Sequence, residues 1–337
     1  MSELIPPFDW QTVVVSTWTE NASHYGWMAL MGFLVATTCG LIGNYLILRR
    51  MALVGDAISH SVLPGLAIAY ILVNIAGAGA DASGLESHGS KNAFAMFAGA
   101  LVAAMVTTIM IELIHKKTRV KQDAAIGITF SSLFALGVVI ISLFAGKAHI
   151  DTDCVLHGEL TFVPIDVFVS IGGRELAPMP VVRMAIVAGL TLLLIILFYK
   201  ELLVSSFDSG LAASLGINST VMHYGLMCWL SVVVVSSFEA VGAILVIAML
   251  IIPGATASLL TRRLPWMMGL TVVHAALSSV LGLHLAIWLE CSVSGAMCVA
   301  GAGLFVMVWV FSPSDGLIQL WLKSRREPPL EVVEAEG

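Results

Sequence analysis

Long apolar runs separated by short polar connections dominate the chain, and their lengths set the first reading. A helix needs about 20 apolar residues to cross the roughly 30 Å hydrocarbon layer of a membrane. Runs of that kind fall near residues 26–48, 55–76, 93–114, 124–145, 181–199, 221–238, 240–260, 267–289 and 294–311. The sixth and seventh come from one stretch, 221–260, which as a single helix would be about 60 Å long at 1.5 Å per residue. It must turn, and Ser236 to Gly242, SSFEAVG, is the expected place. The pattern predicts an all-α integral membrane protein, a polytopic helical bundle of nine transmembrane helices. The count becomes eight if the long stretch is a tilted helix plus a re-entrant piece.

Composition agrees. Of 337 residues, 58% are hydrophobic and 11% charged, and mean hydropathy is +0.97, against about 45–50% apolar and about 25% charged in soluble domains. A net charge of −6 without a basic patch gives no nucleic-acid footprint. Residues 1–25 lack the basic region and cleavage site of a signal peptide, so they are expected to remain as an extracytoplasmic segment. A membrane domain follows over 26–315, and a polar tail over 316–337, ending EPPLEVVEAEG, is expected to be disordered.

The basic residues orient the bundle. All 16 Lys and Arg are accounted for by two sets. One set, Arg49, Arg50, Lys116, Lys117, Arg119, Lys121, Lys200, Arg262, Arg263, Lys323, Arg325 and Arg326, falls in alternate connections and the tail. Only Lys91, Lys147, Arg174 and Arg183 fall on the other side. The positive-inside rule then puts the N-terminus outside and the C-terminus in the cytoplasm, which requires an odd number of spans. Two outer loops carry acids and histidines: 77–91 with Asp81, Glu86 and His88, and 146–180 with Asp151, Asp153, His157 and Glu159. Such residues can attract a cation or simply face water. Five scattered cysteines include no CxxC, and Cys154 and Cys291 are the two expected to face outward.

Candidate chemistry concentrates in Met51–Leu66, MALVGDAISHSVLPGL. Asp56 and His60, four residues apart, share one face of a helix and can converge on one ion. Ionisable groups cost about 2.5–3.5 kcal/mol each inside a bilayer and usually mark a path or relay. A helix start, with Asp56 favoured by the dipole, is the plainer explanation. Glu112 is explained by an ion pair with Lys116 one turn on. Glu239 has no such neighbour and sits at the expected turn, where interrupted helices line protein-buried cavities, so it reads as a pathway residue. His223 reads as an interface residue; His274 and His284 are offset around their helix and could each complete a site built elsewhere.

Carboxylate and imidazole donors suit Mn(II), Fe(II) or Zn(II) better than Cu(I). No phosphate loop, HExxH or GxSxG occurs, so the chain reads as no enzyme, and any ATP-driven work belongs to another polypeptide. The connection Lys200–Ile217, KELLVSSFDSGLAASLGI, is too polar to span; it contains a short candidate helix, Leu211–Leu215, between Gly210 and Gly216. Its exposed Phe207 and Leu211 suit a partner protein or the lipid surface.

Several stretches in order resemble one family. RRMALVGDAISHSVLPGLAIAY, QDAAIGITFSSLFALGVVIIS, HIDTDCVLHGEL, YKELLVSSFDSGLAASLGI and FEAVGAILVIAMLIIPGATASLLTRRL are similar to the bacterial ABC-type manganese, zinc and iron permeases, over nearly all of 26–315. HIDTDCVLHGEL and FEAVGAILV look most like the manganese- and iron-leaning treponemal and chlamydial branch. The resemblance implies a type II ABC importer-like fold in a bacterial inner membrane, with a second permease subunit, a cytoplasmic ATP-binding subunit and an extracytoplasmic metal-binding protein. It implies no permanent cofactor: the divalent metal is the substrate, and the partner uses the ATP. It implies Asp56 and His60 as the metal-facing pair, Glu239 as a less secure third ligand, and Phe207, Asp208, Leu211 and Gly216 as the ATPase-coupling loop. A self-sufficient metal/proton carrier is the competing reading.

Overall fold

The computed structural model describes residues 6–51, 53–77, 88–144, 160–171, 174–312 and 316–319. A π-helical turn, Gln11–Val15, runs into α1 (Ser16–Thr19). The bundle follows as α2 (Ala22–Leu48), α3 (Val54–Gly77), α4 (His88–Lys117) and α5 (Gln122–Phe144). A 3-10 turn, Leu160–Ile165, and an antiparallel hairpin of β1 (Phe168–Ile171) and β2 (Arg174–Pro178) form the described part of the long connection over 146–180. Then come α6 (Met179–Leu197), α7 (Tyr199–Phe207), α8 (Ser209–Ser214), α9 (Ser219–Leu260), α10 (Leu264–Leu289) and α11 (Val293–Phe311). The tail beyond residue 319 and the loop tip at 78–87 lie outside the described residues.

Helix α2 is the axle of the fold. Val35, Cys39 and Tyr45 are wholly buried, and α2 packs against α9, α10 and α6. Lipid tails are as apolar as leucine, so helices in a membrane associate mainly through close packing of small residues. At the α3–α4 crossing Gly65 and Gly99 face each other; a Cβ on Gly99 would lie 2.6 Å from the Ala69 Cβ and 2.7 Å from the Gly65 carbonyl oxygen. Thr107 of α4 donates to the Ser61 hydroxyl at 2.6 Å across the same interface.

The 42-residue α9 turns as its length requires, but without a loop. Helical geometry is broken inside it at one residue, Gly242, with φ 76° and ψ 169°. Neighbours along α2 trace the reversal. His223 meets Arg49 at the end of α2 and Ser237 meets Cys39 further up. Past the break, Gly43 packs on Leu250 and Gly254 abuts Asn44 and Ile47. The chain climbs to the middle of α2, turns, and returns to the end it left. The break falls within the expected stretch, Ser236 to Gly242, just past the Ser237–Cys39 contact and so part-way along α2. Among the described residues eight helices have the length and hydropathy to cross a membrane, and the returning arm, Ile244–Leu260, is a shorter apolar helix. The basic connections at Arg49, Lys116 and Lys200 gather at one end of the bundle, the end to which α9 returns.

Two outcomes follow for stability. Gly242→Ala forces a side chain into backbone space that only glycine occupies cheaply, at about 1–3 kcal/mol, so it should lower the melting midpoint in detergent. Gly189→Ala on α6, with nothing within 4 Å, should not. Gly65→Ala should cost a similar amount, about 1–3 kcal/mol, because the new methyl wedges α3 from α4; the same melting assay reads it.

Candidate metal centre

The path to the centre starts at the end of α2. Arg49 caps that helix, and Arg50 adopts the left-handed conformation, φ 57°. The Met51 N–H then bonds to the Leu46 carbonyl and the Arg50 N–H to the Ile47 carbonyl, both made possible by that turn. After this sharp stop α3 begins at Val54, so Asp56 falls in its first turn, where the unpaired N–H groups favour an anion.

Asp56 and His60 do converge. His60 Nε2 lies 3.3 Å from Asp56 Oδ1. Their side chains are 38% and 29% exposed, whereas the intervening Ala57, Ile58 and Ser59 are at most 1% exposed. The pair thus forms an open polar strip on an otherwise buried helix. Phe130 and Phe134 of α5 flank the imidazole, with ring centroids 5.1 and 6.0 Å away. Pro64, one turn further along, has no N–H, so the His60 carbonyl is left without its helical partner. Its ring is seated by α5: a Cβ on Gly137 would lie 2.9 Å from Pro64 Cδ. A carboxylate, an imidazole and a freed carbonyl within one helical turn can replace part of the hydration of a divalent ion. Among the described residues no third His, Cys, Asp or Glu joins the pair in a group that could hold one.

The other predicted residues separate from this centre. Glu239 lies on α9 three residues before the Gly242 break, and its side chain is outside the described residues. His274 is buried, with Nε2 3.2 Å from the Gly301 carbonyl. His284 has Nδ1 2.7 Å from the Val280 carbonyl and accepts from Trp18 Nε1 at 3.1 Å. Both therefore hold helices together. The side chains of Asp81, Glu86, His88, Asp151, Asp153, His157 and Glu159 lie outside the described residues, as does Cys154; Cys291 is a free, exposed thiol.

The coupling segment forms as a helix slightly earlier than expected, Ser209–Ser214. Asp208 Oδ1 accepts from the Gly210 and Leu211 N–H groups at 2.8 and 3.1 Å, capping α8. Gly216, at φ 78°, ends the turn, and Asn218 caps α9. Phe207, Leu211 and Leu215 are 65%, 51% and 61% exposed. So much exposed apolar side chain on and around so short a helix marks a surface that something covers.

A second polar centre escaped the sequence. Arg49 Nε and Nη2 donate to Ser206 and Ser205 at 3.0 and 2.9 Å, and Nη1 meets His223 Nδ1 at 3.2 Å. His223 Nε2 reaches Glu112 Oε2 at 3.2 Å, and Glu112 Oε1 holds Lys116 at 2.7 Å. The expected Glu112–Lys116 pair is present, but as one end of a chain across four helices. Nothing in sequence separations of 157 and 174 residues signals it.

Comparisons agree with the geometry. The model of the ABC 3 transport family matches residues 24–312. The chain is 39% identical to the manganese transport system membrane protein MntD of Bacillus subtilis, over 90% of this chain and 97% of that one. It is 41% identical to the zinc transport system membrane protein TroD of Treponema pallidum, over 88% and 77%. Among solved structures, PsaBC from Streptococcus pneumoniae in complex with Fab superposes with a TM-score of 0.70 at 31% identity, covering 92% and 98% of the two chains. The membrane helices, the half-open Asp56–His60 strip and these relatives converge: the chain belongs to the ABC 3 transport family, as a multi-pass membrane permease of a metal-ion ABC importer.

Proposed function

We propose that this permease carries a divalent transition metal inward by alternating access, with Mn(II) the preferred substrate and Zn(II) or Fe(II) within its range. The observation that carries the reading is the 3.3 Å Asp56–His60 contact on a half-exposed face. Oxygen and nitrogen donors without thiolate select Mn, Fe or Zn over Cu(I). The manganese and zinc names of the relatives point the same way. A site that binds must also release, and two side chains plus a carbonyl grip less firmly than a closed cage. A second permease subunit, identical or homologous, would bring a second such pair to the path. Glu239, near the mid-membrane reversal, is the proposed earlier contact for the ion.

In this reading the basic end faces the cytoplasm, with the N-terminus outside. Phe207, Leu211 and the capped α8 dock into a separate ATP-binding subunit, while an extracytoplasmic binding protein delivers the ion. ATP-driven closure of the partner subunits moves α8 and opens the path inward.

The test is Mn(II), Zn(II) and Fe(II) uptake by vesicles holding the chain, its ATPase and its binding protein. Asp56→Ala and His60→Ala should each cut uptake about tenfold or more with the complex still assembled, since even outer partners of metal ligands are worth about that much. Uptake that persists without any ATPase sinks the reading in favour of a self-sufficient carrier. Separately, Leu211→Glu should abolish co-purification of the ATPase while leaving the melting midpoint of the chain unchanged, because Leu211 is exposed.

A further inference from the structure

Arg49 sits where three lines meet. It is the C-terminal cap of α2, seven residues before Asp56; its guanidinium holds the last turn of α7, next to the cap of α8; and it reaches His223 near the start of α9. We propose that Arg49 is a positioning residue that transmits movement of the ATPase-docking helix α8 to the helices around the metal pair. This rests on the reading that α8 docks an ATPase.

The bonding is directional. Ser205 and Ser206 return their own hydroxyl protons to the Leu202 carbonyl, which leaves their oxygens free to accept from Arg49. A guanidinium only donates, so His223 Nδ1 must accept and its proton must lie on Nε2, facing Glu112. Each member is thus oriented by the one before it: Arg49, His223, Glu112, Lys116. A rigid, forked guanidinium can serve two hydroxyls and an imidazole together, whereas a lysine ammonium presents a single point charge on a flexible stem.

The connections on either side of this contact are short. Ser206 is two residues from Asp208, the cap of α8, and three residues, 51–53, separate the left-handed Arg50 from the start of α3. A displacement of α8 therefore pulls on Arg49 before any slack is taken up. On the far side, His223 and Glu112 pass the same pull to α9 and to α4, the helix clamped on α3 at Gly65 and Gly99. The network also has room to rearrange: it borders a cleft of about 480 Å³ lined by Arg49, Arg50, Glu112, Lys116, Ser205 and His223. A purely structural tie would hold the helices equally well in every state and leave transport matched to hydrolysis.

The discriminating quantity is metal moved per ATP hydrolysed, measured as Mn(II) uptake and phosphate release in the same vesicles carrying the full complex. With Arg49→Gln the complex should assemble and hydrolyse ATP, while Mn(II) moved per ATP falls about fivefold, a size typical of residues that carry coupling. Arg49→Lys should recover little of it. The double variant Ser205→Ala with Ser206→Ala keeps the guanidinium and should lower the ratio in the same direction; it decides the matter if Arg49→Gln fails to assemble. Combining all three changes should add nothing further, as expected of residues acting as one unit. An unchanged ratio in these variants, with the unmutated complex transporting normally, overturns the proposal alone. Absence of ATP-dependent uptake in the unmutated complex overturns the parent reading and this one with it.

Discussion

Inside a hydrocarbon layer every backbone N–H and C=O must find a partner within the protein, and this bundle reverses its chain at that depth. The solution is economical. One glycine, Gly242, takes a conformation closed to other residues, and helix resumes on both sides of it. Because the reversal is buried, the two arms of α9 must be wrapped by other helices. Leu250 of the returning arm fits against Gly43 of α2 and Gly55 of α3, where a larger residue would have no space. The position of α3, and so of Asp56, follows from how that arm is packed.

The Asp56–His60 strip shows how a permease can present ionisable groups in lipid without burying them completely. Its two side chains are partly open while the helix around them is closed. The aromatic rings of Phe130 and Phe134 give the imidazole one apolar wall, and Pro64 withholds the N–H that would otherwise bond to the His60 carbonyl. These features suit the proposed role: polar enough to receive an ion and too sparse to trap it.

The opposite kind of polar group gathers at the basic end. There the guanidinium of Arg49, two hydroxyls, an imidazole and a carboxylate are mutually satisfied, while a short helix beside them exposes apolar side chains. Polar groups that are paired fix helix ends relative to one another; apolar groups that are not paired mark what is left for a partner. The two lie within a few residues along the chain, between Ser205 and Leu215.

Much of this was legible in the sequence. Spans could be read because each must satisfy its own backbone over a fixed thickness, a constraint local to about 20 residues. Asp56 and His60 could be paired because helical geometry puts residues i and i+4 on one face, and the stop at Gly216 because a glycine there needs no special context to turn left-handed. The turn within 221–260 was demanded by length alone. Its depth was not, since depth depends on which α2 residues the arms meet, and Cys39, Gly43 and Asn44 are about two hundred residues away in sequence. For the same reason His274 and His284, which sequence left as spare ligands, were assigned to helix packing only when Gly301 and Trp18 came beside them. Sequence determined what each segment is, through interactions a few residues long. Tertiary structure decided which segments share a hydrogen bond, because the Arg49 network and the buried reversal are made between residues that only the folded bundle brings within about 3 Å.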